Sequence, residues 1–471
     1  MGGLLQLTLC ELCETLASKR ASPVELMREV FAAVDAHNPK LNAIVAERDR
    51  DVLLREAREA EHHIASGAGR ALEGVPFGVK DMEDIAGLPT TFGSKLFAEH
   101  VATRDSSQVA RLRSAGAIAF GKTNMPEFGA TAITRNLIYG TTRSPWDLEA
   151  TPGGSSGGSA AALAAEILPL VTASDGGGSI RIPASFVGAF GLKPNYGRVS
   201  RGPVESFWLS STLCYGPLTK TVADAALVLD CTAGYDPLDP MSLPSSDVSY
   251  RRLPKELSER KWRIGYSPDF GYAVVQSDVA AAVEDGVRQL ERMGHRISLL
   301  RDGPPQMTEE WGQLFAFEQG ADILHLRSGR DSEISRGFLQ QMKAVEAMPQ
   351  ATWASMMQKR ARIAAYFAQA FEQLDFLVTP TTPYDAPPAR GPFPAETEGR
   401  VQIAAGVGAF TIPTNLSLHP AASLRVGLSK RGLPVGLQLI APHYREDQLL
   451  ALCSAFEAER PAHPMWPLRQ R

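Results

Sequence analysis

Two clusters of glycine and serine are the residues of this chain best suited to do chemistry. The first cluster, at 151–159, reads TPGGSSGGS, and the second, at 174–183, reads SDGGGSIRIP. Ser155 and Ser179, one in each cluster, are 24 positions apart, and a largely apolar run lies between them. Successive glycines before a serine free backbone N–H groups to point at one spot, which is the arrangement that an oxyanion hole requires.

The clusters themselves leave several interpretations open. A Walker-type phosphate loop needs Gly-Lys-Ser or Gly-Lys-Thr, which neither cluster contains. A G-x-S-x-G nucleophile elbow fits neither, because the first cluster has the wrong spacing and the second lacks the last glycine. The structural interpretation is that the glycines and serines only form tight turns and close packing. Taken singly, neither cluster decides between structure and catalysis.

A lysine upstream favours catalysis. A serine is a poor nucleophile until a base removes its proton. Lys80 follows the apolar run VPFGV at 75–79. Burial among neighbours such as Phe77 and Val79 would lower the pKa of Lys80 from about 10.4 and leave a neutral amine to act as the base. Lys80 alone fits a surface charge equally well, so the hypothesis depends on the lysine and both clusters together.

Segments spread along the chain resemble the amidase signature family. They are 74–81 (GVPFGVKD), 121–128 (GKTNMPEF), 153–159, 175–183 with 191–194 (GLKP), and 432–438 (GLPVGLQ). The resemblance covers nearly the whole chain. It implies the amidase signature fold and amide hydrolysis by a Lys–cis-Ser–Ser triad through an acyl-enzyme, with no metal and no organic cofactor.

The resemblance also implies a role for each matching residue. Ser179 would be the nucleophile, Ser155 the bridging serine beside a cis peptide bond, and Lys80 the base. The expected oxyanion hole consists of the N–H groups of Gly176, Gly177 and Gly178. The residues expected to support the triad are Ser156, Asp175 and Arg181, and those expected to line the acyl pocket are Gly129, Ala130 and Thr131.

The chain departs from the family pattern at two places. Gly176 stands where relatives usually carry threonine, isoleucine or a similar residue, and an extra glycine would widen or loosen the oxyanion loop. Ser417 and His419 replace a more usual glycine-containing pair. His419 is interpreted either as a pocket residue or as a structural histidine with its hydrogen bonds satisfied.

The elements that must position these residues alternate between helix and strand. The N-terminal segment, about 1–70, is expected to be helical, and Ser22 to Glu25 (SPVE) forms a capping box with proline at the first helical position. Strands are predicted at 75–79, 117–120, 262–266 and 435–440, and helices at 105–115, 278–293 and 446–459. This rhythm predicts a single α/β domain over 1–471, with a mixed, largely parallel sheet covered by helices and a helical insertion at about 305–373.

Composition excludes several classes of protein. Of the 471 residues, 44 % are hydrophobic and 21 % charged, which excludes a largely disordered chain. The net charge of −4 offers no electrostatic footprint for nucleic acid. No apolar run is long enough to predict a membrane span. Five cysteines argue against a disulfide framework and fit a reducing cytoplasm. The Cys10-x-x-Cys13 pair is interpreted as two buried thiols on one helix face.

The predicted activity is hydrolysis of a C–N amide bond in a small molecule, and aryl amides, fatty amides and aryl carbamates (urethanes) are the substrate classes considered. Aromatic and methionine residues between 311 and 371 would form a funnel for an apolar group, or else an ordinary helical core. No nucleic-acid or membrane partner is expected, and a homodimer is left open. The alternative functions are a glutaminase-like subunit of a tRNA-dependent amidotransferase and a non-catalytic binding protein. Retention of Lys80, Ser155 and Ser179 together argues against the latter.

Overall fold

Helices and strands alternate along the chain. The computed structural model describes residues 3–203, 210–323 and 326–461, so residues 1–2, 204–209, 324–325 and 462–471 of the predicted domain lie outside the described residues. The α-helices are α1 (Leu9–Ala17), α2 (Pro23–Leu41), α3 (Arg50–Ala65), α4 (Ser107–Ser114), α5 (Gly157–Ala164), α6 (Arg181–Val187), α7 (Val222–Thr232), α8 (Lys255–Glu259), α9 (Ser277–Arg292), α10 (Thr308–Ile323), α11 (Arg336–Glu346), α12 (Gln350–Gln373), α13 (Ile412–Leu416) and α14 (Glu446–Glu459).

The strands are distributed over two main sheets and three short pairs. They are β1 (Ile44–Glu47), β2 (Pro76–Lys80), β3 (Ile118–Thr123), β4 (Arg135–Asn136), β5 (Gly140–Thr141), β6 (Leu170–Val171), β7 (Ser174–Asp175), β8 (Phe190–Lys193), β9 (Cys214–Tyr215), β10 (Leu218–Thr219), β11 (Arg263–Tyr266), β12 (Arg296–Leu299), β13 (Phe376–Pro380), β14 (Glu396–Thr397), β15 (Arg400–Val401), β16 (Ala421–Leu428) and β17 (Pro434–Ile440).

The smaller sheet carries the lysine of the candidate site. Its order is β1-β3-β2-β6, with β2 parallel to both β3 and β6 and β1 antiparallel to β3. Every residue of β2 and β3 is buried. Lys80 is the last residue of β2 and pairs in register with Thr123, so its side chain starts at the carboxyl end of a buried strand.

The larger sheet has the order β10-β8-β16-β17-β13-β11-β12. The pairs β11–β12 and β11–β13 are parallel, and the pairs from β10 to β13 are antiparallel. The α/β class with mixed sheets covered by helices is confirmed. The strands form two main sheets rather than the one expected. Antiparallel pairing occupies the centre of the larger sheet because β16 and β17 are joined by the short segment 429–433, and not by a crossover helix.

Most of the predicted elements lie where the pattern puts them. The capping box is confirmed, since the Ser22 hydroxyl accepts from the Val24 and Glu25 N–H groups and the Glu25 carboxylate accepts from the Ser22 N–H. The N-terminal segment differs in one respect, because β1 interrupts its helices. The segment 305–373 contains α10, α11 and α12. No helix in the described part of the chain is long and apolar enough to cross a membrane.

The two cysteines of the C-x-x-C sequence lie on α1. Cys10 and Cys13 are both half-buried and unpaired. Burial raises the pKa of each thiol to about 12, so both are protonated at neutral pH. Protonated thiols packed against a core match the structural interpretation of the pair.

A close approach of β1 and β3 provides a test of the smaller sheet. A Cβ atom on Gly121 would lie 2.1 Å from the Ala46 carbonyl oxygen, so Gly121→Ala must force the two strands apart. We expect a free energy of unfolding lower by about 1–3 kcal/mol, measured by thermal and denaturant melts. Gly312→Ala on α10 is the matched control, because nothing described lies within 4 Å of its new Cβ. Equal melting of both variants would contradict this packing.

Candidate active site

Lys80 ends in a cage of serine hydroxyls. Its side chain is fully buried, and its Nζ lies 2.7 Å from Ser155 Oγ, 3.0 Å from Ser156 Oγ and 2.8 Å from Ser174 Oγ. Ser155 and Ser156 belong to the first glycine–serine cluster and Ser174 begins the second. The structure therefore brings together the lysine and both clusters, which are separated by 75 to 94 positions in the sequence.

The ionisation of Lys80 follows from its burial. Desolvation disfavours the charged ammonium and lowers the pKa of Lys80 to about 7, although the negative charges of Glu83 and Asp175 act in the opposite direction. Burial also raises the pKa of the Glu83 carboxyl to about 7, so its opposing charge is only partly present near neutral pH. A large fraction of Lys80 is consequently a neutral amine at the pH of a cell.

The hydrogen-bond pattern gives this amine a direction. The Ser156 hydroxyl donates to the Ser174 carbonyl oxygen at 3.2 Å, and the Ser174 hydroxyl donates to Met82 Sδ at 3.0 Å. With their protons committed, both hydroxyls accept from Lys80. A neutral amine has two N–H donors and one lone pair, so the lone pair remains for Ser155. The geometry can thus move a proton from Ser155 to Lys80.

Residues 129–132 pack closely against the backbone around Ser155. The Gly154–Ser155 peptide bond is cis, next to the residue for which the resemblance implies one. A Cβ on Gly154 would lie 2.9 Å from the Thr131 carbonyl oxygen, and a Cβ on Gly129 would lie 3.2 Å from Ser155 Oγ. Only glycine at these two positions allows the segment to pack this closely on Ser155.

Ser179 faces a cavity of about 450 Å³. The same cavity is lined by Gly154 and by the three expected pocket residues, Gly129, Ala130 and Thr131. Lys80 and Ser155 are not among its lining residues, and Ser155 is only 4 % exposed. Lys80 and Ser155 therefore lie beneath the cavity surface, while Ser179 is part of that surface. Most of the wall is apolar, and its larger side chains are Ile182, Trp311, Phe338, Phe393, Val407 and Ile412.

The loop before Ser179 is anchored through its carbonyl groups. All four carbonyl oxygens of residues 175–178 accept hydrogen bonds. Asn415 Nδ2 donates to the carbonyl of residue 175 (2.8 Å) and Trp311 Nε1 to that of residue 176 (3.0 Å). Thr411 Oγ1 donates to the carbonyl of residue 177 (2.7 Å) and the Ile182 N–H to that of residue 178 (2.7 Å). In a trans peptide the C=O and N–H groups point in opposite directions. Each anchored carbonyl thus fixes the direction of the N–H group in its own peptide, and these N–H groups belong to residues 176–179.

One of these N–H groups is already used. The Gly178 N–H donates to Asp175 Oδ1 at 2.7 Å, so the structure differs from the expected oxyanion hole at this residue. Among the described residues, no hydrogen bond uses the N–H groups of Gly176, Gly177 or Ser179. These three are the donors left for an oxyanion. At Gly176, where the chain departs from the family pattern, the Trp311 indole holds the carbonyl group of the loop.

A buried ion pair fixes the loop from below. Asp175 and Arg181 are both fully buried and joined by two hydrogen bonds, of 2.8 and 2.9 Å. Burial opposes ionisation of Asp175, but the charge and hydrogen bonds of Arg181 dominate and hold its pKa at about 2. Arg181 also donates to Gln438 Oε1 at 2.6 Å and to the side chain of Asn415. The carboxylate that anchors the Gly178 N–H is thereby tied to the larger sheet.

His419 belongs to the core and not to the cavity. It is buried, its ring stacks on His443 with centroids 3.8 Å apart, and its Nδ1 lies 3.0 Å from Ser417 Oγ. Burial lowers the pKa of His419 to about 2, so the ring is neutral. Of the two interpretations left open, the structural one fits.

Sequence reasoning missed several contacts of this site, among them those of Ser174, Met82 and Trp311. Ser174 directly precedes Asp175, and its place in the cluster was a usable signal. Met82, two positions after Lys80, and Trp311, on a helix of the 305–373 segment, carried no signal for their contacts. Their contacts depend on how distant segments pack.

Comparisons with known proteins agree with this geometry. The family model described as Amidase matches residues 25–450. The chain belongs to the amidase family. It is 35 % identical to an acylamidase of Rhodococcus erythropolis over 97 % of this chain and 96 % of that protein. It is 36 % identical to one of the subunits of the glutamyl-tRNA(Gln) amidotransferase of Thermodesulfovibrio yellowstonii, over 98 % of this chain and 99 % of that one.

A solved structure supports the same assignment. A bacterial aryl acylamidase of the amidase signature enzymes superposes with a TM-score of 0.91 and 27 % sequence identity, over 99 % of each chain. Family membership makes this chain an amidase signature amide hydrolase, acting on C–N amide bonds.

The direction of the proton path can be tested at Ser155. Ser155→Ala should reduce kcat/KM for an anilide about 10²–10⁴-fold more than for the nitrophenyl ester of the same acid, because an amine must be protonated to leave and a nitrophenolate need not. Ser106→Ala, a buried serine outside the cage, is the control and should leave the ratio unchanged. Equal losses on both substrates would show that Ser155 does not protonate the leaving group.

Proposed function

We propose that this amidase cleaves aryl or other apolar amides through an acyl-enzyme on Ser179, with Ser155 as proton relay and Lys80 as base. The observation that carries the proposal is the position of the buried Lys80 amine, whose Nζ lies 2.7 Å from Ser155 Oγ beneath the cavity that Ser179 faces. The buried amines of Lys122 and Lys193 donate elsewhere, to Thr90 Oγ1 and to the Pro194 carbonyl oxygen.

The proposed cycle has two halves. Ser155 passes its proton to Lys80 and takes the proton of Ser179, whose Oγ forms a bond to the amide carbon. The resulting oxyanion accepts from the N–H groups of Gly176, Gly177 and Ser179. When the C–N bond breaks, Ser155 protonates the departing nitrogen and regains a proton from Lys80. A water molecule then attacks the acyl-enzyme by the same proton path, which releases the acid and Ser179.

The cavity favours an apolar substrate over an amino acid. The charged residues that line it are Glu127 and Arg135. Both oxygens of Glu127 are engaged, one by Ser94 Oγ and one by the Ser335 N–H, each at 2.7 Å. An amino-acid head group needs an accessible carboxylate for its ammonium as well as a cation for its carboxylate, and Glu127 is only 4 % exposed, with each oxygen already accepting a hydrogen bond. Aryl carbamates fit the same chemistry, and we include them as a second substrate class.

The second candidate function is that of a glutaminase-like component of an amidotransferase. It is favoured by the identity to the glutamyl-tRNA(Gln) amidotransferase chain, which equals that to the acylamidase within one percentage point. It requires ammonia release from glutamine and stable association with further subunits. The engaged state of Glu127 in the cavity argues for the apolar amide.

The proposed setting is the cytoplasm, with a small-molecule substrate, no nucleic-acid partner and a homodimer left open. All five cysteines are unpaired, which fits a reducing compartment. The net charge of −4 provides no general attraction for a polyanion.

Labelling by an aryl fluorophosphonate tests the nucleophile. We expect one adduct per chain on the wild type, none on Ser179→Ala, and unchanged labelling of Ser335→Ala, since Ser335 lines the same cavity without a base beneath it. Mass spectrometry of intact protein and of peptides gives the site. An adduct that persists on Ser179→Ala would place the nucleophile elsewhere.

A substrate panel separates the candidate functions. We expect turnover of neutral anilides such as acetanilide and of phenyl carbamates, with glutamine at least about 10²-fold poorer in kcat/KM, since the Glu127 carboxylate that lines the cavity is buried and offers little to the ammonium of glutamine. Free amine is detected for every substrate. Preferential hydrolysis of glutamine would favour the amidotransferase-like function instead.

A further inference from the structure

A tryptophan outside the motifs of the resemblance contacts both the oxyanion loop and the cavity. The Trp311 indole Nε1 donates to the Gly176 carbonyl at 3.0 Å. Its six-membered ring covers Gly177 so closely that a Cβ there would lie 2.4 Å from Trp311 Cζ2. The same side chain lines the cavity beside Ser179. One residue of α10 therefore touches the loop backbone and the space for substrate.

The hydrogen bond acts on a particular donor. The Gly176 carbonyl and the Gly177 N–H belong to the same peptide group, and a hydrogen bond accepted by the carbonyl polarises that group and strengthens its N–H as a donor. It also fixes the plane of the peptide. In the described residues, no hydrogen bond uses the Gly177 N–H. The indole thus sets both the direction and the strength of one donor available to an oxyanion.

Trp311 is itself firmly placed. Its ring packs on Phe315 with centroids 5.4 Å apart. Its backbone N–H donates to the Met307 carbonyl at 2.9 Å, at the start of α10. Thr308 anchors the same end of the helix by donating to the Ala404 carbonyl at 2.5 Å. A helix held in this way can keep the indole against the loop.

We propose that Trp311 is a positioning residue for the hydrolysis: it aims the Gly177 N–H at the oxyanion, and its ring forms one wall of the acyl or aryl subsite. The proposal rests on the proposed function, since an oxyanion forms beside this loop only if Ser179 attacks a carbonyl. It assigns to the 305–373 segment a role in stabilising the transition state as well as in shaping the cavity.

The test separates the N–H from the ring. Trp311→Phe keeps an aromatic wall and removes the donor, so kcat on an anilide should fall about three- to tenfold, the size of one lost hydrogen bond, with KM changed by less than about twofold. An aryl trifluoromethyl ketone, which forms a tetrahedral adduct with the nucleophile, should bind weaker by the same factor as kcat. Binding of the aniline product should not change.

Phe338→Leu is the matched control. Phe338 lines the cavity and packs on Phe128, and no hydrogen bond links its side chain to the loop. This variant should raise KM for anilides and weaken ketone binding by a similar factor, with kcat changed by less than about twofold. If Trp311→Phe does not fold, β-(3-benzothienyl)alanine at position 311 keeps the shape of the indole without the N–H and should give the same fall in kcat.

The possible outcomes differ for the two proposals. If Trp311→Phe raises KM and weakens the ketone by a similar factor, with kcat unchanged, the positioning role is overturned and Trp311 is only a wall. Failure of the proposed function would be evident without any Trp311 variant, as labelling or turnover that persists in Ser179→Ala. The Trp311 variants do not affect that result.

Discussion

The burial of one lysine amine among three serine hydroxyls is the interaction on which the site depends. Transfer of a charged ammonium into a protein interior costs several kcal/mol, so Lys80 responds by losing its proton near neutral pH. The neutral amine then needs two hydrogen-bond acceptors for its N–H groups and one donor for its lone pair. Ser156 and Ser174 accept from it because their own protons are directed to the Ser174 carbonyl and to Met82 Sδ. The proton path towards Ser155 follows from that arrangement.

The two sheets of the fold contribute different halves of the site. The smaller sheet delivers Lys80 at the end of β2, and the larger sheet contributes Gln438 of β17 to the network around Arg181. The ion pair of Arg181 with Asp175 ties the oxyanion loop to the larger sheet. Without its partner, Asp175 would be a buried, uncompensated carboxylate, which is typically destabilising by about 3–5 kcal/mol. Stability and catalytic geometry therefore share the same residues.

Much of the site was predictable from local sequence. The glycine–serine clusters and Lys80 identified the residues that meet in space. The capping box placed the start of α2, and the apolar pattern placed β17 and α14 to within a residue or two. Contacts between distant segments were not predictable. Trp311 meets Gly176 across 135 positions, and nothing in the periodicity of α10 shows that its indole points at that carbonyl. The use of the Gly178 N–H by Asp175 depends on loop geometry, and the division into two sheets depends on the hairpin of β16 and β17.

The ionisation of Lys80 is the most direct test of this account. With lysine labelled by ¹³C at Cε, the Lys80 resonance can be assigned by its absence in Lys80→Met and followed from pH 5 to 11. The account predicts an inflection at about 7 and a kcat/KM that rises with pH through the same value and then levels off, because only the neutral amine accepts a proton. A Lys80 that stays protonated to pH 9 or above, in an enzyme fully active at pH 7, would contradict it.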